Sequence, residues 1–246
     1  MKRGDPVNPK PFWIRALYAA RDLRSRALFR ALERHGRGAV LDVGGWDFFL
    51  TAAERGLAGD SWTTLEPDAG RSLEVADPRF RLVHGDGCAM AFADASFDTV
   101  LCIQVLEHVP EPLTMVRELA RVLRPGGRAI LLVPQTSTTH FAPHYYGNFS
   151  RHWIRYALDR AGLVTEEHEP LGGVWSTAAS HHFFFFLQAL RFESMSEPDV
   201  RRGPLFFVLF PLMAVWAALS IPICLLFSLG DLQEEPNNHL VVARKP

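Results

Sequence analysis

Three acidic positions suggest chemistry, and each stands where an apolar run gives way to a turn. Asp42 lies near the end of the run Ala39–Val43, ahead of Gly44 and Gly45. Glu66 follows Ser61–Leu65, and Asp86 follows Arg81–Val83 within His84-Gly85-Asp86-Gly87. Glycines after a strand permit a tight turn and a close approach of backbone to ligand. A carboxylate some two dozen residues further on can accept hydrogen bonds from both hydroxyls of a ribose. Asp86 could accept from an adenine amino group. Each piece also has a plainer reading: a structural turn at Gly44–Gly45, an exposed loop acid at 66, a solvated turn acid at 86.

The residues able to move a proton lie later. His108 sits in Gln104-Val105-Leu106-Glu107-His108-Val109, and His140, His144 and His152 follow. An imidazole near its unperturbed pKa is the usual general base at neutral pH. His108 and His144 are the candidate catalytic residues, with Tyr145 and Tyr146 shaping a pocket in the long polar and aromatic segment Thr136–Phe149. The plainer readings are a helix-start histidine at 108 and a surface-loop histidine at 144. Cys88, Cys102 and Cys224 are far apart and form no CxxC or Cys/His spacing, so neither a metal site nor a disulfide framework is expected.

Positioning these groups requires alternating strands and helices. Strands are expected at Ala39–Val43, Ser61–Leu65, Arg81–Val83, Phe97–Ile103, Arg128–Val133, Leu163–His168 and Asn238–Arg244. Helices are expected at Phe12–His35, Phe48–Arg55, Pro112–Leu123, from Ser150 to about Ala161, and at Val174–Leu190. In Pro112–Leu123 the residues Leu113, Val116 and Leu119 share one face. This rhythm predicts an α/β fold: a Rossmann-like, doubly wound, seven-stranded, mostly parallel sheet with an antiparallel last strand. In such sheets ligands bind beyond the carboxyl ends of the strands.

The sequence resembles the class I S-adenosylmethionine-dependent methyltransferases of the "methyltransferase type 11" group. The resemblance rests on Asp42-Val43-Gly44, Glu66, Gly85-Asp86-Gly87, Met90-Ala91-Phe92, Ser96-Phe97-Asp98, Leu106-Glu107-His108-Val109 and Leu123-Arg124-Pro125-Gly126-Gly127. It implies that Asp42, Gly44 and Gly45 border the methionine end of S-adenosylmethionine. It also implies that Glu66 binds the ribose, that Asp86 and Gly87 hold the adenine edge, and that Gln104 lies by the methionine part. Trp46 and Phe48 stand where the family often has further glycines. A more distant likeness to members linked to surface-polysaccharide or lipid-linked sugar pathways suggests a small or lipid-linked acceptor, a saccharide among the candidates.

Composition narrows the alternatives. The 246 residues carry a net charge of −1, with a basic stretch confined to Met1–Arg37, so nucleic acid is not an expected partner. Gly44-Gly45-Trp46-Asp47-Phe48 lacks the GxGxxG spacing of a nicotinamide dinucleotide site. No apolar signal-type core follows the N-terminal charges, and the chain reads as cytoplasmic. Leu205–Leu229 holds no charged residue and is interrupted by Pro211 and Pro222. A broken or hairpin-like pair of helices in one leaflet is expected there, giving one-sided membrane contact and leaving the last strand on the side of Asp42. The expected organisation is a basic arm and helix at 1–38, a donor-binding domain at 39–173 and 237–246, and a helical insert at 174–236. The competing reading is a non-catalytic protein of the same fold acting as a membrane-associated partner or regulator.

Overall fold

The computed structural model describes residues 25–140, 143–189 and 202–246. Its centre is a seven-stranded sheet of β1 (Ala39–Val43), β2 (Ser61–Glu66), β3 (Phe80–His84), β4 (Phe97–Ile103), β5 (Leu123–Pro134), β6 (Val164–Leu171) and β7 (Asn238–Arg244). The order is β3-β2-β1-β4-β5-β7-β6. The pairs among β1 to β5 are parallel, and β7 lies antiparallel between β5 and β6. The expected fold class is the observed one.

Successive side chains of a strand point to opposite faces, and the apolar residues divide accordingly. Leu41, Val43, Val100, Cys102, Ala129, Leu131, Val241 and Ala243 enter one buried cluster. Val40, Leu101, Ile130, Leu240 and Val242 enter the other. Helices α3 (Pro112–Val122) and α4 (Arg151–Arg160) cover the first face through Met115, Val116, Leu119, Ile154, Ala157 and Leu158. A helix at residues 25–35 (α1) and α2 (Phe48–Glu54) cover the second through Ala27, Leu28, Ala31, Leu32, Phe49 and Ala52. The Ser150 hydroxyl caps α4 by accepting from the Trp153 backbone N–H at 3.4 Å.

The first half of the expected Phe12–His35 helix lies outside the described residues. In α1, Arg34 pairs with Glu167 at 2.8 Å and Arg30 with Glu169 at 3.4 Å. Both guanidinium groups therefore answer acids of β6. Pro125-Gly126-Gly127 forms a bulge within β5, ahead of the expected strand Arg128–Val133: Phe97 pairs with Leu123, and Thr99 already with Arg128. Gly126 accommodates the bulge at φ +78°.

One expectation about the apolar region is corrected. Pro204–Phe227 is a single 24-residue helix, α6, with Pro211 and Pro222 inside it. It pairs instead with α5 (Val174–Ala189). Trp175 stacks edge-on to Phe227, His182 Nδ1 meets Ser220 Oγ at 2.7 Å, and Phe185 packs on Phe210. These contacts run in opposite chain directions, so α5 and α6 form an antiparallel hairpin. Two prolines eleven residues apart in so apolar a segment read as breaks, but the helix runs through both, packed along α5. Residues 190–201, between these helices, lie outside the described residues.

Candidate functional site

The carboxyl ends of β1, β2, β3 and β4 share one edge of the sheet, because these strands are parallel and adjacent. At the end of β1 the chain turns through Gly44, whose φ is +70°, a conformation that glycine adopts without strain. A Cβ on Gly44 would stand 2.8 Å from Val105 Cγ2 after β4. A Cβ on Gly45 would fall 1.8 Å from Asp42 Oδ2. The two glycines thus lay bare backbone directly over a buried acid.

Asp42 is fully buried, and neither carboxylate oxygen has a hydrogen bond among the described residues. Burial, reinforced by the charge of Glu66, pushes its pKa up to about 8. The Trp62 indole N–H lies near enough to oppose that shift without closing a hydrogen bond of its own. The side chain therefore underlies the glycine turn and does not stand in open solvent.

Glu66 ends β2 and is also buried. Its Oε1 accepts from the Trp46 backbone N–H at 2.8 Å, and its Oε2 lies 4.0 Å from Arg71 Nη1. The Arg71 guanidinium in turn covers the Trp46 ring at 4.9 Å. Trp46 has φ +46°, a left-handed backbone that is uncommon for a bulky residue. Asp86 is exposed and closes its own turn by accepting from the Cys88 N–H at 2.8 Å. Gly87 is buried, and a Cβ there would meet Met115 Cε at 2.2 Å.

Gln104, directly after β4, also has positive φ, at +55°. Its amide nitrogen donates to Asn238 Oδ1 at 2.8 Å, so the side chain is directed to β7. The structure brings Asp42, Gly44, Gly45 and Glu66 together, sets Asp86 and Gly87 in the turn after the neighbouring strand β3, and turns the Gln104 amide to the other side of β4.

That other side holds the histidines. A short 3-10 turn, Leu106–His108, follows β4. His108 Nδ1 lies 2.6 Å from the carbonyl of His144, and its ring meets that of His140 edge-on at 4.8 Å. Tyr145 packs 4.9 Å from His140 and donates to Asn148 Oδ1 at 2.9 Å. Burial lowers the His108 pKa and raises that of Tyr145. His144 is linked to the cluster through its carbonyl, while its ring faces the Tyr146 hydroxyl at 3.5 Å.

Glu107 was not singled out by sequence reasoning. It is fully buried, both oxygens lack hydrogen bonds among the described residues, and burial raises its pKa to about 7. The charges of Glu107 and Asp42 both bear on the buried Cys102 thiol, which lies between the two halves of the site. An acid beside a histidine in an otherwise apolar turn was the available signal.

The loop after β5 is tied to the helical hairpin. His181 Nε2 contacts the Thr136 carbonyl at 2.7 Å, and the Thr136 and Thr177 hydroxyls meet at 3.2 Å. Because β6 ends and β7 begins at this edge, α5 and α6 rise from the same end of the sheet as the glycine turn.

Comparison with known proteins bears on this arrangement. Residues 44–131 match the family model described as "Methyltransferase domain". An uncharacterized methyltransferase of Mycobacterium sp. (strain KMS) is 41% identical over 103 residues, covering 39% of this chain and 38% of that protein. One of Mycobacterium avium (strain 104) is 38% identical over 136 residues, covering 50% and 53%. The matched region spans about half of these relatives or less. A crystal structure of a SAM-dependent methyltransferase from Archaeoglobus fulgidus superposes with a TM-score of 0.56 at 13% identity, covering 92% of this chain and 94% of that one. The fold is a methyltransferase fold. Within it, the Gly44–Gly45 turn, Glu66 and the Glu107–His108 turn all fall inside the matched region.

Proposed function

We propose that this protein transfers a methyl group from S-adenosylmethionine to a small or lipid-linked acceptor. The observation that carries the reading is the glycine turn over an unpaired buried acid, with a second buried acid at the neighbouring strand tip, inside a matched methyltransferase domain. These residues suit the donor. The bare backbone of Gly44 and Gly45 admits its amino-acid end, and Glu66 faces the place of a ribose diol. Asp86 and Gly87 would border the base. The donor's sulfonium supplies the reactive methyl, so the chain has only to bind, orient and exclude water.

The acceptor would enter between the Gly44 turn and the loop after β5. Its proton is handled on the His108 and His144 side, by the His108 imidazole directly or by a group that the imidazole holds. Support for a lipid-linked acceptor comes from α6. Leu205, Phe207, Leu212, Trp216, Leu219 and Leu226 are exposed along it, and its length and composition would suit a membrane. The hairpin's base is hydrogen-bonded to the acceptor-side loop, so an apolar surface and the reaction face share one end of the molecule. In this reading the hairpin rests on one leaflet, and 39–173 with 237–246 works as the donor-binding unit.

The non-catalytic reading draws on one observation: Trp46 and Arg71 already engage the Glu66 carboxylate. Titration calorimetry with S-adenosylmethionine and its demethylated product separates the two readings. Micromolar binding that weakens in Glu66→Gln supports methyl transfer. No heat at millimolar donor overturns it.

A further inference from the structure

We propose that Glu107, His108 and His140 form a binding site for a first-row divalent cation on the acceptor side of the sheet edge. One ligand-type atom from each residue lies within 4.8 Å of those of the other two. The set offers one carboxylate and two imidazoles, a combination that suits zinc, iron(II), cobalt(II) or manganese(II) and leaves further coordination positions for a substrate.

Two independent features favour a cation over a chance grouping. The first is Glu107. Its carboxylate is buried with no hydrogen bond to any other described residue, and such a group calls for a compensating charge. Neither neighbouring imidazole supplies that charge while neutral. The second is the orientation of both rings. His108 Nδ1 lies 2.6 Å from the His144 carbonyl, and His140 Nδ1 lies 2.8 Å from the Thr138 carbonyl. A carbonyl can only accept, so each Nδ1 carries the proton and each neutral ring bears its lone pair at Nε2. Metal-binding histidines are commonly fixed in this way, with the second nitrogen donating to a backbone carbonyl. Around a bound cation the ligand atoms stand roughly 3–3.5 Å apart, so modest side-chain rotation closes the site.

The cation's role rests on the methyltransferase reading. Held there, it would bind an acceptor hydroxyl and lower its pKa, and the released proton would pass to water. The oxygen would then attack the methyl carbon as the carbon–sulfur bond breaks, with the electron pair staying on sulfur. His108 would act as a ligand in that arrangement.

Cobalt(II) titration of the metal-free full chain, followed by visible absorption, tests the site without reference to activity. One equivalent should produce a ligand-field band that is lost in Glu107→Gln and in His140→Ala. The band should persist in His152→Ala, whose ring is exposed on α4. Far-UV circular dichroism verifies that each variant is folded, and His140→Ala changes a loop residue, so the test does not depend on the buried position alone. No stoichiometric band, or a band unchanged in both folded variants, overturns the proposal. Donor binding is measured separately by calorimetry on the metal-free protein. Donor binding without a cobalt band removes the cation site and leaves the methyltransferase reading standing; a cobalt band without donor binding does the reverse.

Discussion

The backbone N–H of Trp46 donates to Glu66 Oε1 at 2.8 Å, so the residue after the glycine turn holds the acid proposed for the ribose. Trp46 makes this contact from a left-handed backbone, which disfavours a non-glycine residue by roughly 1–2 kcal/mol. Trp46→Gly should remove that strain and open the turn. Donor affinity should tighten by about tenfold, equivalent to about 1.4 kcal/mol. A weaker dissociation constant in calorimetry would mean that the indole is part of the donor site.

Glu66→Gln preserves an oxygen for the Trp46 N–H and removes the charge. Hydrogen bonds to a charged group contribute about 1.5–3 kcal/mol each. Donor binding should weaken at least tenfold, while the melting temperature changes little. Equal donor affinity in the variant would count against the assignment of Glu66 to the ribose.

Asp42 gives stability a pH dependence. Its folded pKa is raised to about 8 from an ordinary value of 3.8, so the folded state holds a proton that the unfolded chain releases between those values. Stability from this group therefore falls as pH rises from about 4 to 8. Asp42→Asn should raise unfolding free energy at pH 8 by about 5 kcal/mol and have little effect at pH 4. Denaturant melts at both pH values measure this, and an equal effect at both would refute it.

His239 works in the opposite sense. It is buried in β7, with Nε2 at 2.7 Å from Gln135 Oε1 and Nδ1 at 3.0 Å from His168 Nε2. Burial, with the charges of His168 and Arg151, lowers its pKa to about 4. The unfolded chain takes up the proton first, so stability is lost as pH falls from about 6.5 toward 4. His239→Gln should flatten the acid side of the stability profile. An unchanged profile would place the acid sensitivity elsewhere.

The exposed face of α6 predicts binding to lipid vesicles. Changing Leu212, Trp216 and Leu219 to Asn together should abolish co-flotation with liposomes and leave donor binding intact. Each of these side chains is exposed, so the fold should tolerate the changes. Wild-type protein that stays with the soluble fraction would refute the membrane reading.

Much of the scaffold was legible from local pattern. Asn238–Arg244 was read with its observed bounds, because Leu240 to Ala243 form an apolar run buried on both faces. Asp42, Gly44, Gly45 and Glu66 were readable because strand tips lie at predictable places. The Glu107–His108–His140 grouping was not, since a 32-residue separation brings His140 back only through the path of β5 and its loop. Continuity of α6 was also hidden. Proline penalises a helix in isolation, but the partner α5 is a tertiary feature that no local window contains. The direction of the Gln104 amide depended on Asn238, which pairs with the end of β5 from far along the chain.

The placement of β7 between β5 and β6 sets an order of assembly. Two strands synthesised earlier must leave a gap for one synthesised after α6. The apolar hairpin therefore emerges from the ribosome while the sheet still has two unsatisfied edges. The last strand can therefore enter its place between β5 and β6 only after the hairpin has formed or moved aside.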